Sequence, residues 1–230
     1  MIRTVAISVL MAIDLLPAGV IQFNGDVPPQ QAGWTPLLHG SPEIEINSGV
    51  LTQIFDAPGD QAFYNRSIGE FAGAPTFFAE WRMQTDAPAS LLDTFQIPTG
   101  FVLSGNGIFY HFVFSDTEAL FLRFDLSFDR YPIEPGIMHT YRIELFGEDL
   151  YRFLVDGSLV DSGVPDGPYP TIASEIIWGG EFDVPGHTDH WDYVTYGAIP
   201  EPATGLLLLA GLSSLILRRK ANPSRHRSLI

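Results

Sequence analysis

The chain of 230 residues contains no cysteine. This absence excludes a disulfide framework, a thiolate metal site and a cysteine nucleophile. The 17 Phe, 8 Tyr and 4 Trp residues are ample material for a packed core. The 22 Gly and 18 Pro residues indicate many turns and few long helices. Length and composition therefore predict one sizeable domain with tails.

Positive charge is scarce in the body of the chain, from Val20 to Pro200. This stretch contains no lysine and only six arginines, against 25 acidic residues. Such a polyanionic domain repels nucleic acid and anionic membrane surfaces, so no nucleic-acid partner is expected. Two interpretations of the acidic excess stay open: solubility outside the cell, which we favour, and uptake of divalent cations.

The familiar catalytic motifs are also missing. There is no Gly-x-Ser-x-Gly elbow and no Gly-Lys-Ser/Thr phosphate loop. The six histidines are scattered, which leaves a Ser-His-Asp set open without supporting it. We therefore assign no catalytic residue.

The body shows the alternation typical of half-buried β-strands. Phe77, Ala79, Trp81 and Met83 are predicted to face inward, opposite polar neighbours. The stretch from His139 to Phe146 alternates in the same way. Further strands are predicted over residues 43–46, 50–55, 108–114, 119–126, 150–155 and 158–160, with Asp156-Gly157 as a two-residue hairpin turn. No amphipathic helix of ten residues is evident. Many short strands indicate an all-β, two-sheet antiparallel sandwich.

Three segments of this pattern resemble the concanavalin A-like, or laminin G-like, jelly roll. They are His139-Thr140-Tyr141, the strand from Tyr151 to Gly157, and Trp191-Asp192-Tyr193-Val194. The resemblance spans residues 43–197 and implies that the first two strands pair and that the last one closes a sheet. We expect this domain to cover residues 20–199.

Retaining glucanases of that fold usually carry a Glu-x-Asp-x-x-Glu strand, which this chain lacks. Glu43 and Glu45 do share one face of a predicted strand. Because no third acid accompanies them, a solvated face is the favoured interpretation over a catalytic pair.

The C-terminal stretch has three parts: Pro200-Glu201-Pro202, an uncharged apolar run over residues 203–217, and the basic cluster Arg218-Arg219-Lys220. The run predicts a helix of roughly 22 Å, short of the ~30 Å hydrocarbon core but able to span a compressed membrane. The basic cluster predicts a stop-transfer signal that stays cytoplasmic. A transmembrane helix over 203–217 and a basic tail over 218–230 are therefore expected.

The order of these parts resembles the PEP-CTERM sorting signal of Gram-negative bacteria. The resemblance implies processing by an exosortase and delivery to the cell surface or to an extracellular polysaccharide matrix. The chain would then pass through an intermediate tethered to the inner membrane. An exported protein also needs an entry signal, and residues 1–19 are predicted to form a signal peptide, with Arg3 followed by an apolar stretch.

The densest polar cluster lies between Glu181 and Asp192. Oxygen donors on a Gly/Pro loop suit Ca²⁺, so Asp183, Asp189 and Asp192 are candidate calcium ligands. Trp178, His187 and His190 are candidate ligand-binding residues. A plain exposed loop before the final strand is the favoured interpretation, and metal or glycan binding is the alternative.

These features predict an exported surface or matrix protein with a non-catalytic sandwich that binds glycan or protein. The alternative is a secreted polysaccharide-active enzyme, a hydrolase or a lyase, on the same scaffold. The expected partners are an exosortase and extracellular polysaccharide.

Overall fold

The computed structural model describes residues 21–69, 76–90, 98–105, 108–123, 127–147, 150–164, 174–181 and 186–199. The chain divides into two compact units, residues 1–198 and 199–230, and every described strand lies in the first. The predicted signal peptide, sorting motif, apolar run and basic tail lie outside the described residues. Within the described part of the chain, no helix is long and apolar enough to cross a membrane.

The described residues form fifteen strands and one short 3-10 helix, Pro29–Ala32. In chain order the strands are β1 (Ile21–Phe23), β2 (Thr35–His39), β3 (Glu43–Asn47), β4 (Val50–Phe55), β5 (Gln61–Ser67), β6 (Thr76–Thr85), β7 (Thr99–Gly105), β8 (Ile108–Phe114), β9 (Glu118–Leu122), β10 (Phe128–Pro132), β11 (His139–Phe146), β12 (Leu150–Val155), β13 (Ser158–Gly163), β14 (Glu175–Glu181) and β15 (His187–Ala198).

The strands build two antiparallel sheets. Sheet A has the order β13-β12-β11-β6-β15-β4-β3, and β1 pairs with β15 beside this path. Sheet B has the order β10-β9-β8-β7-β14-β5-β2. The predicted two-sheet sandwich is therefore confirmed. The late strand does not close a sheet as expected: β15 is twelve residues long and lies between β6 and β4, in the middle of sheet A.

The alternating patterns predict which side chains face the core. Ala79, Trp81 and Met83 of β6 are at most 1% exposed. On β11, Tyr141 and Ile143 are buried in the same way, whereas Arg142 and Glu144 lie on the outside. Since both inner faces are rich in aromatic residues, the space between the sheets is filled largely by stacked rings, with Trp81 and Phe101 3.7 Å apart between ring centroids.

Two tight turns have the chemistry that their sequences predict. Asp156 and Gly157 connect β12 to β13 with φ angles of 50° and 75°. Positive φ at both central residues matches the right-handed twist of a hairpin, and glycine adopts it without steric cost. Ser48 and Gly49, between β3 and β4, repeat this geometry with φ angles of 54° and 82°.

Candidate functional site: the outer face of sheet A

A β-bulge in β15 determines which side chains reach the outside of sheet A. Trp191 and Val194 both point into the core and are fully buried. Between them, the register of β15 against β6 shifts, so that Asp192 and Tyr193 both lie half-buried on the outer face. A regular strand would have sent one of these two side chains inward, because side chains alternate between faces. Bulges commonly redirect side chains in this way near functional sites.

Asp192 and Tyr193 each hydrogen-bond to a side chain of β6, and Tyr193 is linked through Glu80 to Arg142 on β11. Arg82 on β6 donates to Asp192 at 2.7 Å. The Tyr193 hydroxyl donates to Oε1 of Glu80 at 2.9 Å. Arg142 on β11 donates to Glu80 at 3.1 Å and to Glu144 at 2.8 Å. We call this surface the outer polar face and define it by Glu80, Arg82, Arg142, Glu144, His190, Asp192 and Tyr193.

Burial and neighbouring side chains fix the arrangement of Tyr193 and Arg142 on this face. Burial raises the pKa of Tyr193 to about 12, and the hydrogen bond to Glu80 acts in the same direction. The hydroxyl therefore stays protonated and serves as a donor at neutral pH. The guanidinium of Arg142 also lies over the ring of Phe78, 4.2 Å from its centroid, which restricts its position.

His190 is the one predicted ligand-binding residue that lies on the outer polar face. It is half-buried, and its Nδ1 lies 3.1 Å from the hydroxyl of Thr52 on β4. In the antiparallel register it is directly opposite Gln84 on β6. Together these three side chains extend the polar surface along β15.

The structure changes the interpretation of Trp178. Its side chain is fully buried, with ring centroids 4.8 Å from Tyr64, 4.9 Å from Trp191 and 5.2 Å from Phe23. Because every second residue of β14 points inward, this indole packs between the sheets and presents no face to a sugar.

His187 and Asp189 also point inward from β15. His187 is 1% exposed and stacks on Phe55, with 4.7 Å between ring centroids. Asp189 is fully buried, and its Oδ1 accepts a hydrogen bond of 2.6 Å from the Thr99 hydroxyl on the other sheet. Its Oδ2 has no hydrogen-bond partner among the described residues. Burial raises the pKa of Asp189 to about 6, against the opposing influence of His187 and Thr99.

The candidate calcium ligands are not brought together by the described strands. Asp189 and Asp192 lie on opposite faces of β15, and Asp192 is already paired with Arg82. Asp183 lies outside the described residues. Across the described ranges, no group of three or more His, Asp or Glu side chains is arranged to hold a metal ion. The calcium site stays a prediction.

Glu43 and Glu45 occupy β3, at the edge of sheet A, and both are exposed. The Asn47 amide donates to Glu45 at 2.9 Å. Exposure at an edge agrees with the interpretation of a solvated face.

The outer polar face could not be predicted from the sequence. Glu80, Arg82, Arg142 and Glu144 are outward positions of β6 and β11 in the alternating pattern, but nothing in the sequence says that these two strands pair. The alternating patterns of β6 and β11 do mark these four residues as outward and polar, and this was the only signal available. No feature of the sequence indicates the bulge that places Tyr193 beside Asp192.

Comparison with solved structures identifies the fold as a β-sandwich of the kind found in lectins and glucanases. The chain is similar to a carbohydrate esterase from the Shiga toxin-encoding bacteriophage phi24B, with 10% identity, a TM-score of 0.59, and coverage of 78% of this chain and 99% of that one. It is also similar to a β-1,3-1,4-glucanase (lichenase) from a mouse hindgut metagenome, with 15% identity, a TM-score of 0.50, and the same coverage of 78% and 99%.

A third similar structure is a sialidase, with 12% identity and a TM-score of 0.56 over 74% of this chain. The chain spans only 17% of the sialidase's length. No protein-family model matches the sequence, and no curated protein matches it either. At these identities the likeness establishes the fold alone.

Proposed function

We propose that the protein is an exported, non-catalytic carbohydrate-binding β-sandwich and that the outer polar face is its binding surface. The observation that carries this proposal is the bulge at Asp192 and Tyr193, which places Tyr193 on the outside beside Asp192 and hydrogen-bonds it to Glu80. The similar structures include a carbohydrate esterase and a glucanase, which favours a sugar ligand over other polar partners.

The chemistry of the face suits sugar hydroxyls. A hydroxyl donates one hydrogen bond and accepts two, so it binds best where donors and acceptors lie side by side. The side chains of β15, β6 and β11 present such neighbours on three adjacent strands. Because adjacent strands are about 4.8 Å apart, the surface is about 10 Å wide, enough for one or two sugar rings.

The arrangement favours binding over hydrolysis. Glycoside hydrolysis requires two carboxyl groups, one of which must be protonated to act as the acid. Glu80 and Glu144 both accept hydrogen bonds from the same guanidinium, that of Arg142, so both carboxyl groups are already engaged as acceptors. The alternative, a polysaccharide-active enzyme, would give products in a reducing-sugar assay on neutral and acidic polysaccharides, and we expect none.

The binding surface is tested by replacing Arg142 with methionine in the full chain. This change leaves Glu80 and Glu144 without their shared donor, and we expect glycan affinity on an array to fall at least about tenfold. Arg130→Met is the matched control, because Arg130 pairs with Glu118 at 3.0 Å on sheet B, away from the outer polar face. An equal loss of glycan affinity in both variants would show that the outer polar face is not the binding surface.

We also propose that Pro200-Glu201-Pro202 and the segments that follow it direct export and exosortase processing, on the basis of their resemblance to the PEP-CTERM signal. In a Gram-negative host with an exosortase, the wild-type chain should reach the cell surface in a shortened form. Replacing Pro200 and Pro202 by alanine should leave the chain uncleaved in the inner membrane. Wild-type protein that stays in the cytosol would contradict this assignment.

A further inference from the structure

Each charged group that defines the outer polar face is paired with another. Arg82 contacts Asp192 at 2.7 Å, and Arg142 contacts both Glu80 at 3.1 Å and Glu144 at 2.8 Å. The pairs are still open to water: the side chains of Arg82 and Asp192 are 44% and 29% exposed. A ligand can therefore reach these groups, but it meets them with their charges already balanced.

This pairing has a consequence for acidic sugars. A uronate or sulfate group binds proteins mainly through charge-assisted hydrogen bonds to guanidinium groups. On this face the same hydrogen bonds are made by carboxylates of the chain itself, which are held on the same strand or on a neighbouring one and so compete at high effective concentration. The excess of acidic residues in the body of the chain adds a long-range repulsion.

We propose that Glu80, Glu144 and Asp192 are specificity-determining residues: they occupy the places where the anionic group of an acidic sugar would contact Arg82 and Arg142, so that the face selects neutral over acidic glycans. This inference rests on the proposed function, because it assigns a ligand class to the same surface. The discrimination between neutral and acidic glycans then comes from repulsion between these carboxylates and an anionic sugar as much as from attraction to a neutral one.

Neutral hydroxyls do not face this competition. A carboxylate has about four acceptor positions and a guanidinium has five N–H donors, so an ion pair leaves several positions unfilled. A hydroxyl can bind across the pair without breaking it, donating to the carboxylate and accepting from the guanidinium. The Tyr193 hydroxyl, held against Glu80, provides a further acceptor for such a ligand.

The test is calorimetric titration of the full chain with hexasaccharides of two kinds. Cellohexaose and mannohexaose are the neutral probes, and hexagalacturonate and hexamannuronate are the acidic ones. We expect the wild-type protein to bind at least one neutral probe, with an affinity that changes less than about twofold between about 50 and 500 mM NaCl. It should bind both acidic probes more weakly than that neutral probe.

Two single variants test the role of the carboxylates. Asp192→Asn frees Arg82, and Glu144→Gln removes one of the two partners of Arg142. Each should raise the affinity for the acidic probes at least about tenfold, and high salt should remove the gain. Glu118→Gln is the matched control: it changes the net charge equally and removes the ion pair between Glu118 and Arg130 on sheet B, so it should bring no gain. Since Asp192 and Glu144 lie on different strands, either variant suffices if the other does not fold.

The outcomes separate this inference from the proposed function. Tighter binding of acidic than neutral probes by the wild-type protein would overturn the selectivity and leave glycan binding in place. Variants that keep neutral binding without gaining acidic binding would overturn it as well. Failure to bind any glycan, neutral or acidic, would refute the proposed function itself.

Discussion

Replacing Trp81 with alanine is expected to lower the free energy of unfolding by about 3–5 kcal/mol, the range for removing a fully buried large aromatic side chain. Trp81 is 0% exposed and lies near the middle of sheet A. Its ring stacks on Phe101 of sheet B at 3.7 Å between centroids and lies within 6.5 Å of four more aromatic rings: those of Phe112, Phe114, Tyr141 and Phe153. The loss of stability therefore has two parts: apolar surface that is no longer buried, and a cavity that the two flanking β-sheets cannot easily close. Urea unfolding monitored by far-ultraviolet circular dichroism measures it.

Trp81→Phe is the matched control for this change. Phenylalanine keeps a ring between the sheets and removes the indole N–H, which is buried and has no hydrogen-bond partner among the described residues. Removing an unsatisfied donor offsets part of the lost contact, so we expect a cost of less than about 1.5 kcal/mol. A Trp81→Ala protein no less stable than Trp81→Phe would show that the aromatic stack does not hold the two sheets together.

The fold was largely predictable because its strands alternate and its turns are short. Residues of β6 with period two, such as Ala79 and Trp81, indicate one buried face regardless of which strand lies beside it. Asp156-Gly157 predicts a hairpin from local conformational preference alone. The order of strands in the sheets could not be predicted in this way, because β6 and β11 are 53 residues apart and pair through backbone groups that every sequence has.

The candidate site was less predictable, and the reason is the bulge. A strictly alternating β15 places His187, Asp189 and Trp191 on one face and His190 and Asp192 on the other, as observed. Continued alternation would have sent Tyr193 into the core together with Trp191. The register shift reverses that placement, and it depends on how β15 meets β6 and not on the residue types nearby. The sequence therefore provided no basis for placing Tyr193 beside Asp192 on the outer polar face, where it hydrogen-bonds to Glu80.

Among the residues that the structure describes, the one fully buried carboxyl group is that of Asp189 on the same strand, and it makes the second prediction. We expect Asp189→Asn to raise the free energy of unfolding by about 2–3 kcal/mol at pH 7 and to change it little near pH 4. Asparagine keeps an acceptor for the Thr99 hydroxyl but carries no charge. The Oδ2 atom of Asp189 also packs against Gly180, where an added Cβ would lie 2.5 Å from it, so an isosteric replacement is required.

The direction of the pKa shift explains why we expect Asp189→Asn to raise the free energy of unfolding. Burial raises the pKa of Asp189 from 3.8 to about 6, so the folded state holds this proton more tightly than the unfolded state does. Below pH 3.8 the group is protonated in both states and brings no electrostatic penalty. As pH rises toward 6 the unfolded chain ionises first, stability falls, and above pH 6 the full penalty remains. The variant lacks the carboxyl group that ionises, so its free energy of unfolding should exceed that of the wild type by more at pH 7 than at pH 4.

Urea midpoints of both proteins at pH 4, 5, 6 and 7 in EDTA measure the difference, and the chelator prevents a divalent cation from offsetting the buried charge. Asp192→Asn is the control on the same strand: its carboxylate is only half-buried and is paired with Arg82, so its removal should cost less than about 1 kcal/mol and should not stabilise the protein. If Asp189→Asn instead destabilised the protein equally at every pH, ionisation of the buried carboxyl group would not be what limits stability at this position. The packing of this side chain near the start of β15 would then matter more for stability than its charge.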